Sequence, residues 1–395
     1  MSKEDTSMNN IIDFGAIGDG ITLNTKAIQE AINAGGMVYI PAGVFRTGTL
    51  YLKSNGGLYL APGAVLLASE NNADYNDDDF CPQNCVFKEE HVTGGHLITA
   101  IEQENIVIEG HGTINGSGDF WMNESNVNAA GDFLPNDNRP GQMIFICECK
   151  NVRVKDVNLV NGPYWHLFLH GCEDVFVSGL HIRGARTRWT NDGIDIDCCS
   201  RVTVSNCIID VGDDALTLRA FGTPLKNKEA VCENVTVTNC VLHAHRDYGI
   251  RIGVGAGLIR KCTLSNITIE APNPNYSGIG MMSMWSHHTR AATRIEDILI
   301  SNINITAHSA FDIYTAPEGA VLPNDCFMRN VCFSHIMLEQ QTTSKISGRH
   351  DVPIENMSFS DVTVIESNSG DNTEPFTVRD SKNVTFHDVN IFKKQ

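Results

Sequence analysis

Three aspartates are spaced in a way that suits acid–base chemistry. Asp192 opens the run "DGIDID", and the pair Asp213-Asp214 follows 21 and 22 residues later in "GDDALTL". Between them "RVTVSNCIID" alternates apolar and polar residues, the period of a short β-strand. If the chain returns to one place once per such interval, the carboxylates meet. Like charges held together raise one another's pKa, so one of three clustered carboxyls keeps its proton near neutrality. A protonated acid beside ionised partners is what cleavage of a glycosidic bond requires, one group supplying the leaving oxygen with a proton while the others activate water. Each aspartate alone has a plainer reading, since Asn-Asp-Gly and Gly-Asp-Asp are turn tripeptides whose carboxylates bond their own backbone. Their coincidence on one face, one coil apart, favours catalysis.

The elements that would bring them together are legible as an internal repeat. "NIVIEG" at 105, "NVRVKDVNLV" at 151, "DVFVSGLHIR" at 174, "RVTVSNCIID" at 201, "NVTVTNCVLH" at 234, "CTLSNITIE" at 262, "DILISNINIT" at 297, "NVCFSHIMLE" at 330, "ENMSFSDVTV" at 355 and "NVTFHDVNIF" at 383 share one pattern. Such short strands without long helices between them exclude a doubly wound sheet, whose crossovers need helices. They predict an all-β fold, a single-stranded right-handed parallel β-helix whose coils stack about 4.8 Å apart. Leu180, Cys207, Cys240, Ile267 and Ile303 then point inward, and Asn206, Asn239, Asn266 and Asn302 before the last four form a hydrogen-bonding ladder at a bend. Residues 24–36, "NTKAIQEAINAGG", place Ala27, Ile28, Ala31 and Ile32 at helical spacing and predict a capping helix over the N-terminal end. The whole of 1–395 reads as one β-helix domain, with 1–10 flexible and 71–140 forming long loops that wall a groove.

Aligning coils by their inward pairs, Ile194/Ile196, Leu216/Leu218 and Ile250/Ile252, puts Asp192, Asp214 and Tyr248 at equivalent places, with Asp213 one residue earlier on its coil. Asp195, Thr217 and Arg251 stack outward beside them, followed by Asp197, Arg219 and Gly253.

Composition narrows the partners. With 47 acidic against 29 basic residues and a formal charge of -18, a nucleic-acid face is not expected. No apolar run is long enough to span a membrane, and "MSKEDTSMNN" lacks the features of a secretory signal, which suggests a cytoplasmic protein unless a signal has been trimmed. The 13 cysteines show no zinc-type spacing and read as small buried apolar residues. The composition leaves oligomeric state open.

At the aspartates the sequence resembles glycoside hydrolase family 28, the polygalacturonases and their relatives. Thr190-Asn191-Asp192-Gly193-Ile194-Asp195 is similar to the family's N-T-D-G-x-D, and Gly212-Asp213-Asp214 to its G-D-D. "NGPYWHLFLHGCEDVFVSGLHI" from Asn161 and "IIDFGAIGDGITLNTKAIQEAI" from Ile11 extend the likeness, so that it covers roughly residues 11–390. The resemblance implies hydrolysis with inversion, Asp213 as general acid, Asp192 and Asp214 holding and deprotonating water, and no metal or cofactor. Inversion would place acid and base roughly 6.5–9.5 Å apart.

Two departures mark this chain. Where the family has G-H-G it has Asp247-Tyr248-Gly249, and where the family has the carboxylate-gripping R-I-K it has Gly280-Met281-Met282. Arg251 is a candidate replacement for that grip, or else an ion-pair partner of Asp195 or Asp247. Tyr248 and Arg219 are candidate cleft residues, and Trp285 could stack on a sugar or pack a loop. His287-His288 beside it does not suit one metal ion. His166 is either a satisfied strand histidine or a subsite residue. "NDDDF" at 76 lacks the glycine and distal glutamate of a calcium hand and reads as a solvated loop. The expected partner is an oligo- or polysaccharide, with weak action on plain polygalacturonate and with loops that favour attack from a chain end. A uronate-eliminating lyase and a non-catalytic carbohydrate-binding or tailspike-like solenoid are the alternatives.

Overall fold

The structure, a computed structural model, describes residues 8–127, 133–135, 138–284, 291–322, 325–366 and 374–393. Its strands form two large sheets, of 20 and 11 strands, in which every pairing is parallel. Short period-2 segments cannot cover a two-sided sheet, so each coil buries its inward residues against the coils before and after it. One core runs the length of the chain, from Ile28 to Val364 and beyond. Leu180, Cys207, Cys240, Ile267 and Ile303 all lie in it. Every described cysteine is unpaired, and all but Cys81 and Cys332 are buried.

The 11-stranded sheet positions the site, and its strands are labelled here β1 (Leu50–Tyr51), β2 (Ile98–Ile101), β3 (Ile144–Cys147), β4 (Leu167–His170), β5 (Ile194–Asp197), β6 (Leu216–Ala220), β7 (Ile250–Gly255), β8 (Ser277–Met282), β9 (Ser309–Tyr314), β10 (Ser344–Ser347) and β11 (Phe376–Arg379). Ile194, Leu216, Ile250 and Ile279 stack in register, and so do Asp195, Thr217, Arg251, Gly280 and Asp312 on the other face. Strands β3 to β6 are buried on both faces, whereas the neighbouring sheet keeps the alternation of a one-sided strand. Asp195, Asp197 and Thr217 are thus outward residues that are covered.

The bends use residues that accept a left-handed backbone. Asn206, Asn239, Asn266 and Asn302 have φ between 54° and 56°, a region where a short polar side chain can bond locally. The expected ladder exists in two pieces, Asn239 donating to Asn206 at 3.4 Å and Asn302 to Asn266 at 3.2 Å. It is interrupted because Asn266 donates to Thr238 Oγ1 instead, at 3.2 Å. Longer runs stand at the preceding bend, Asn55–Asn105–Asn151 and Asp297–Asn330–Asn356–Asn383.

Helix α1 (Thr25–Asn33) caps the N-terminal coil as expected, with Ile28, Ala31 and Ile32 buried and Gln29 bonded to the backbone of Tyr51. Of residues 1–10, expected to be flexible, Asn9–Asn10 pairs with Val38–Tyr39 and 1–7 lie outside the described residues. Nor is 71–140 wholly loop: Ile98–Ile101, Glu104–Gly110 and Thr113–Asn115 are coil strands, because "HLITAIEQENIVIEG" keeps the alternation. The departures from the coil are 71–97 and 116–143, the second containing an antiparallel pair, Met122–Val127 with Phe133–Pro135. In "NDDDF", Asn76 and Asp78 are taken up by the loop itself, accepting from the N–H groups of His96 and Gly94. No described helix is long and apolar enough to cross a membrane.

Candidate active site

The turns before β5 and β6 bring Asp192, Asp213 and Asp214 together, each with a carboxylate oxygen within 4.8 Å of the others. The spacing follows from the fold, Asp213 and Asp214 being neighbours in one turn and Asp192 one coil away. It is closer than the roughly 6.5–9.5 Å that inversion led us to expect. Asp214 is sealed, while Asp213 keeps 8% of its surface, the most of the three.

Each carboxyl is held differently. Asp214 accepts the Tyr248 N–H through Oδ1 at 3.1 Å and the Arg251 Nη1 through Oδ2 at 2.9 Å. Asp213 accepts the Asp214 N–H at Oδ1, 3.0 Å, and the Thr190 N–H at Oδ2. Asp192 is fixed through its backbone, its carbonyl accepting from the His166 N–H at 2.9 Å and from the His166 ring at 2.8 Å. The Asp192 Oδ1 is buried with no partner among the described residues.

Burial, then the neighbouring Asp214 charge, pushes Asp213 up to about 7, against the pull of the Thr190 N–H and Arg251. Burial and the Asp213 charge drive Asp192 well above the usual carboxylate range. Asp195, behind them, is pushed up to about 8 by burial although Arg219 opposes the shift. Beside Asp214, both Asp213 and Asp192 are therefore biased toward their protonated forms, as crowded buried carboxyls are. These three aspartates are also the group among the described residues whose geometry suits a cation. Arg251 and three backbone N–H bonds already occupy the oxygens of Asp213 and Asp214, which leaves a cation little beyond Asp192.

The other expected residues divide. Tyr248 lies beside the acids, its ring 5.8 Å from the Arg251 guanidinium and its hydroxyl donating to Asp312 Oδ2 at 3.1 Å. Arg251 pairs with Asp214 rather than with Asp195, so the carboxylate it grips is the protein's own. Asp195 is instead 3.3 Å from Arg219, which also lies 3.8 Å from Asp197 and 4.4 Å from the centre of the Trp165 ring. Arg219 is accordingly a largely buried counter-ion of Asp195 and Asp197, with an exposure of 7% against 8% for Asp213. His166 does not line a subsite: it is sealed, donates to the Asp192 carbonyl and accepts from the Gly162 N–H at 3.2 Å, and burial lowers it to about 4. Trp285, His287 and His288 lie outside the described residues.

Asp247, named above only as a possible partner of Arg251, and Arg139 also contribute to the site. Asp247 is half-buried and is raised by burial and by the charges of Asp214 and Asp213. Coil alignment carried the signal, for Asp247 precedes Tyr248 as Asp213 precedes Asp214. Arg139 is sealed beneath the loops and donates to Thr190 Oγ1 at 2.8 Å and to the carbonyls of Pro163 and Glu90. It comes from an irregular segment, and no periodicity announces it. With Phe87, whose ring lies 5.4 Å from that of Trp165, it fastens the 71–97 and 116–143 segments onto the coil just before Asp192. A cavity of about 410 Å³ lined by Glu148, Glu173, Glu229 and Glu233 shares no residue with the acids.

The chain is 29% identical over 236 residues to a probable polygalacturonase of Vitis vinifera, covering 55% of this chain and 46% of that protein. It is 27% identical over 308 residues to an exo-poly-alpha-D-galacturonosidase of Dickeya chrysanthemi, covering 66% and 50%. The chain thus spans about half the length of these two relatives. In fold it is similar to a hyperthermoactive exopolygalacturonase from Thermotoga maritima, with a TM-score of 0.76 at 20% identity over 97% of this chain and 91% of the other. A model of rhamnogalacturonase A/epimerase, pectate lyase-like proteins matches residues 8–60. The model of glycosyl hydrolases family 28 matches residues 36–349, a span that contains every described residue of the site, and the chain belongs to that family.

Proposed function

We propose that the protein hydrolyses glycosidic bonds of a pectin-type oligosaccharide with inversion, Asp213 acting as general acid. The observation that carries the reading is the meeting of three carboxylates within 4.8 Å at the mouths of two adjacent coils. Asp213, the most exposed of them and raised to about 7, suits the residue that hands a proton to the leaving oxygen. Asp192, with an unbonded Oδ1, and Asp214, oriented by Arg251 and the Tyr248 N–H, suit the pair that holds and deprotonates water. Inversion rests on family membership and not on the carboxylate spacing, and the anomer released first, followed by proton NMR, tests it directly.

Attack from a chain end is supported by the segments 71–97 and 116–143, fastened against Trp165 on the coil before the acids, and by relatives named as exo-acting enzymes. The test is release of reducing ends from pectic backbones, rhamnogalacturonan fragments and neutral aryl glycosides. Sugar binding without release from any substrate would favour a binding solenoid, and an unsaturated product absorbing in the ultraviolet would favour elimination. For elimination, Arg251 would have to serve as base, and its ion pair with Asp214 speaks against that.

A further inference from the structure

The groove floor changes character on the C-terminal side of the acids. Beyond Arg251 the outward column continues as Gly280, Asp312 and Lys345. A β-carbon at 280 would come within 2.6 Å of the Tyr248 ring, so the ring occupies the space into which any side chain at 280 would grow. Its hydroxyl reaches over Gly280 to Asp312 Oδ2, and Tyr276 packs edge-on against it at 5.3 Å. Tyr248 and Gly280 are therefore one matched exchange: the tyrosine needs the glycine, and together they replace a side chain at 280 with an aromatic floor. Arg251, the nearest cation in the column, is committed to Asp214, and Lys345 stands beyond Asp312 on β10.

Tyr248 is itself buried, so a sugar lying over it meets the half-buried ring of Tyr276 and the half-buried carboxylates of Asp312 and Asp247. Carboxylates accept from sugar hydroxyls and rings stack on the apolar face of a pyranose. A uronate placed there would set a third carboxylate beside those two, and Arg251, the neighbouring arginine, is already paired with Asp214. The formal charge of -18 adds long-range repulsion of a polyanionic chain. We propose that the subsite formed by Tyr248, Gly280, Tyr276 and Asp312 takes a neutral sugar, so that the bond cleaved joins a residue in this subsite that bears no carboxylate to its neighbour across the acids. The proposal rests on the hydrolase reading for the course of the substrate past Asp213.

Three size-matched oligosaccharides test it: all uronate, uronate alternating with neutral sugar, and the all-uronate chain after carboxyl reduction. The expected result is kcat/KM at least tenfold higher on one of the two chains that carry neutral sugars than on the all-uronate chain. Asp312→Asn should narrow that ratio severalfold, and the double exchange Tyr248→His with Gly280→Arg should raise uronate turnover at least tenfold. Fastest turnover of the all-uronate chain by the unaltered protein, or a ratio that Asp312→Asn leaves unchanged, overturns the proposal. Failure of the hydrolase reading is separable, because calorimetric binding to the Asp213→Asn protein ranks the same three ligands without turnover. There the all-uronate chain must bind weakest; if it binds tightest, or none binds, the neutral subsite is wrong.

Discussion

Asp213 sits between opposing forces, and their balance sets two pH dependences. Burial and Asp214 hold its proton on up to about pH 7, so activity that needs the acid form is expected to fall as pH rises through that value. A pH–rate profile of kcat/KM with a descending limb near 7 checks this, bearing in mind that the limb belongs to the coupled group. Stability follows with a definite sign. The folded-state pKa is raised above the ordinary 3.8, so between about pH 4 and pH 7 the folded chain binds more protons than the unfolded one, and stability falls as pH rises across that window. Asp213→Asn is therefore expected to stabilise the protein at pH 8 by about 1 kcal/mol or more, and much less at pH 4, in urea unfolding at both values. His166 belongs to the same account as a positioning residue. Its ring bridges the Asp192 carbonyl and the Gly162 N–H; in His166→Ala the carbonyl keeps the backbone N–H of residue 166 but the buried Gly162 N–H is left unpaired, and the expected cost is about 1–3 kcal/mol in unfolding.

At the scale of elements the site depends on coil register. Asp192 and Asp214 meet because Ile194 and Leu216 stack as inward partners, and slipping either strand by one residue would turn its carboxylate to another face. This register was legible from alternation alone, which also gave the inward cysteines, while helical spacing of Ala27, Ile28, Ala31 and Ile32 gave the capping helix. The same alignment puts Asp247 one residue before Tyr248, as Asp213 stands before Asp214, but its closeness to the acids depends on side-chain burial that spacing does not reveal. What could not be read was long-range and irregular: Arg139 reaches Thr190 across 51 residues from a loop with no period. The pairing of Arg251 with Asp214 instead of Asp195 depends on side-chain direction, which stacking order does not determine. Burial of β3 to β6 on both faces was likewise invisible, since the covering loops come from elsewhere in the chain. Helix α1 offers a test at this scale. Ile28→Ala removes sealed apolar volume from the cap and is expected to cost about 2–4 kcal/mol in unfolding, with amide exchange rising first in the N-terminal coils.

The whole molecule is a stack of coils closed at its N-terminal end by α1, with irregular segments massed on the coil before the acids and an acid-rich, tyrosine-lined floor beyond them. That asymmetry suits a substrate held by its end, and digestion of a long chain is expected to yield one short product from the first minutes, by mass spectrometry of the time course. An early ladder of intermediate lengths would contradict end-on attack. All of these expectations presuppose that the clustered carboxylates perform the chemistry and that Asp213 delivers the proton. The most direct test is turnover by Asp213→Asn on whichever oligosaccharide the unaltered protein cleaves, with unfolding measured alongside. A loss of roughly 100-fold or more in kcat by a protein that still unfolds cooperatively is the result this account requires, and turnover near that of the unaltered chain would contradict it.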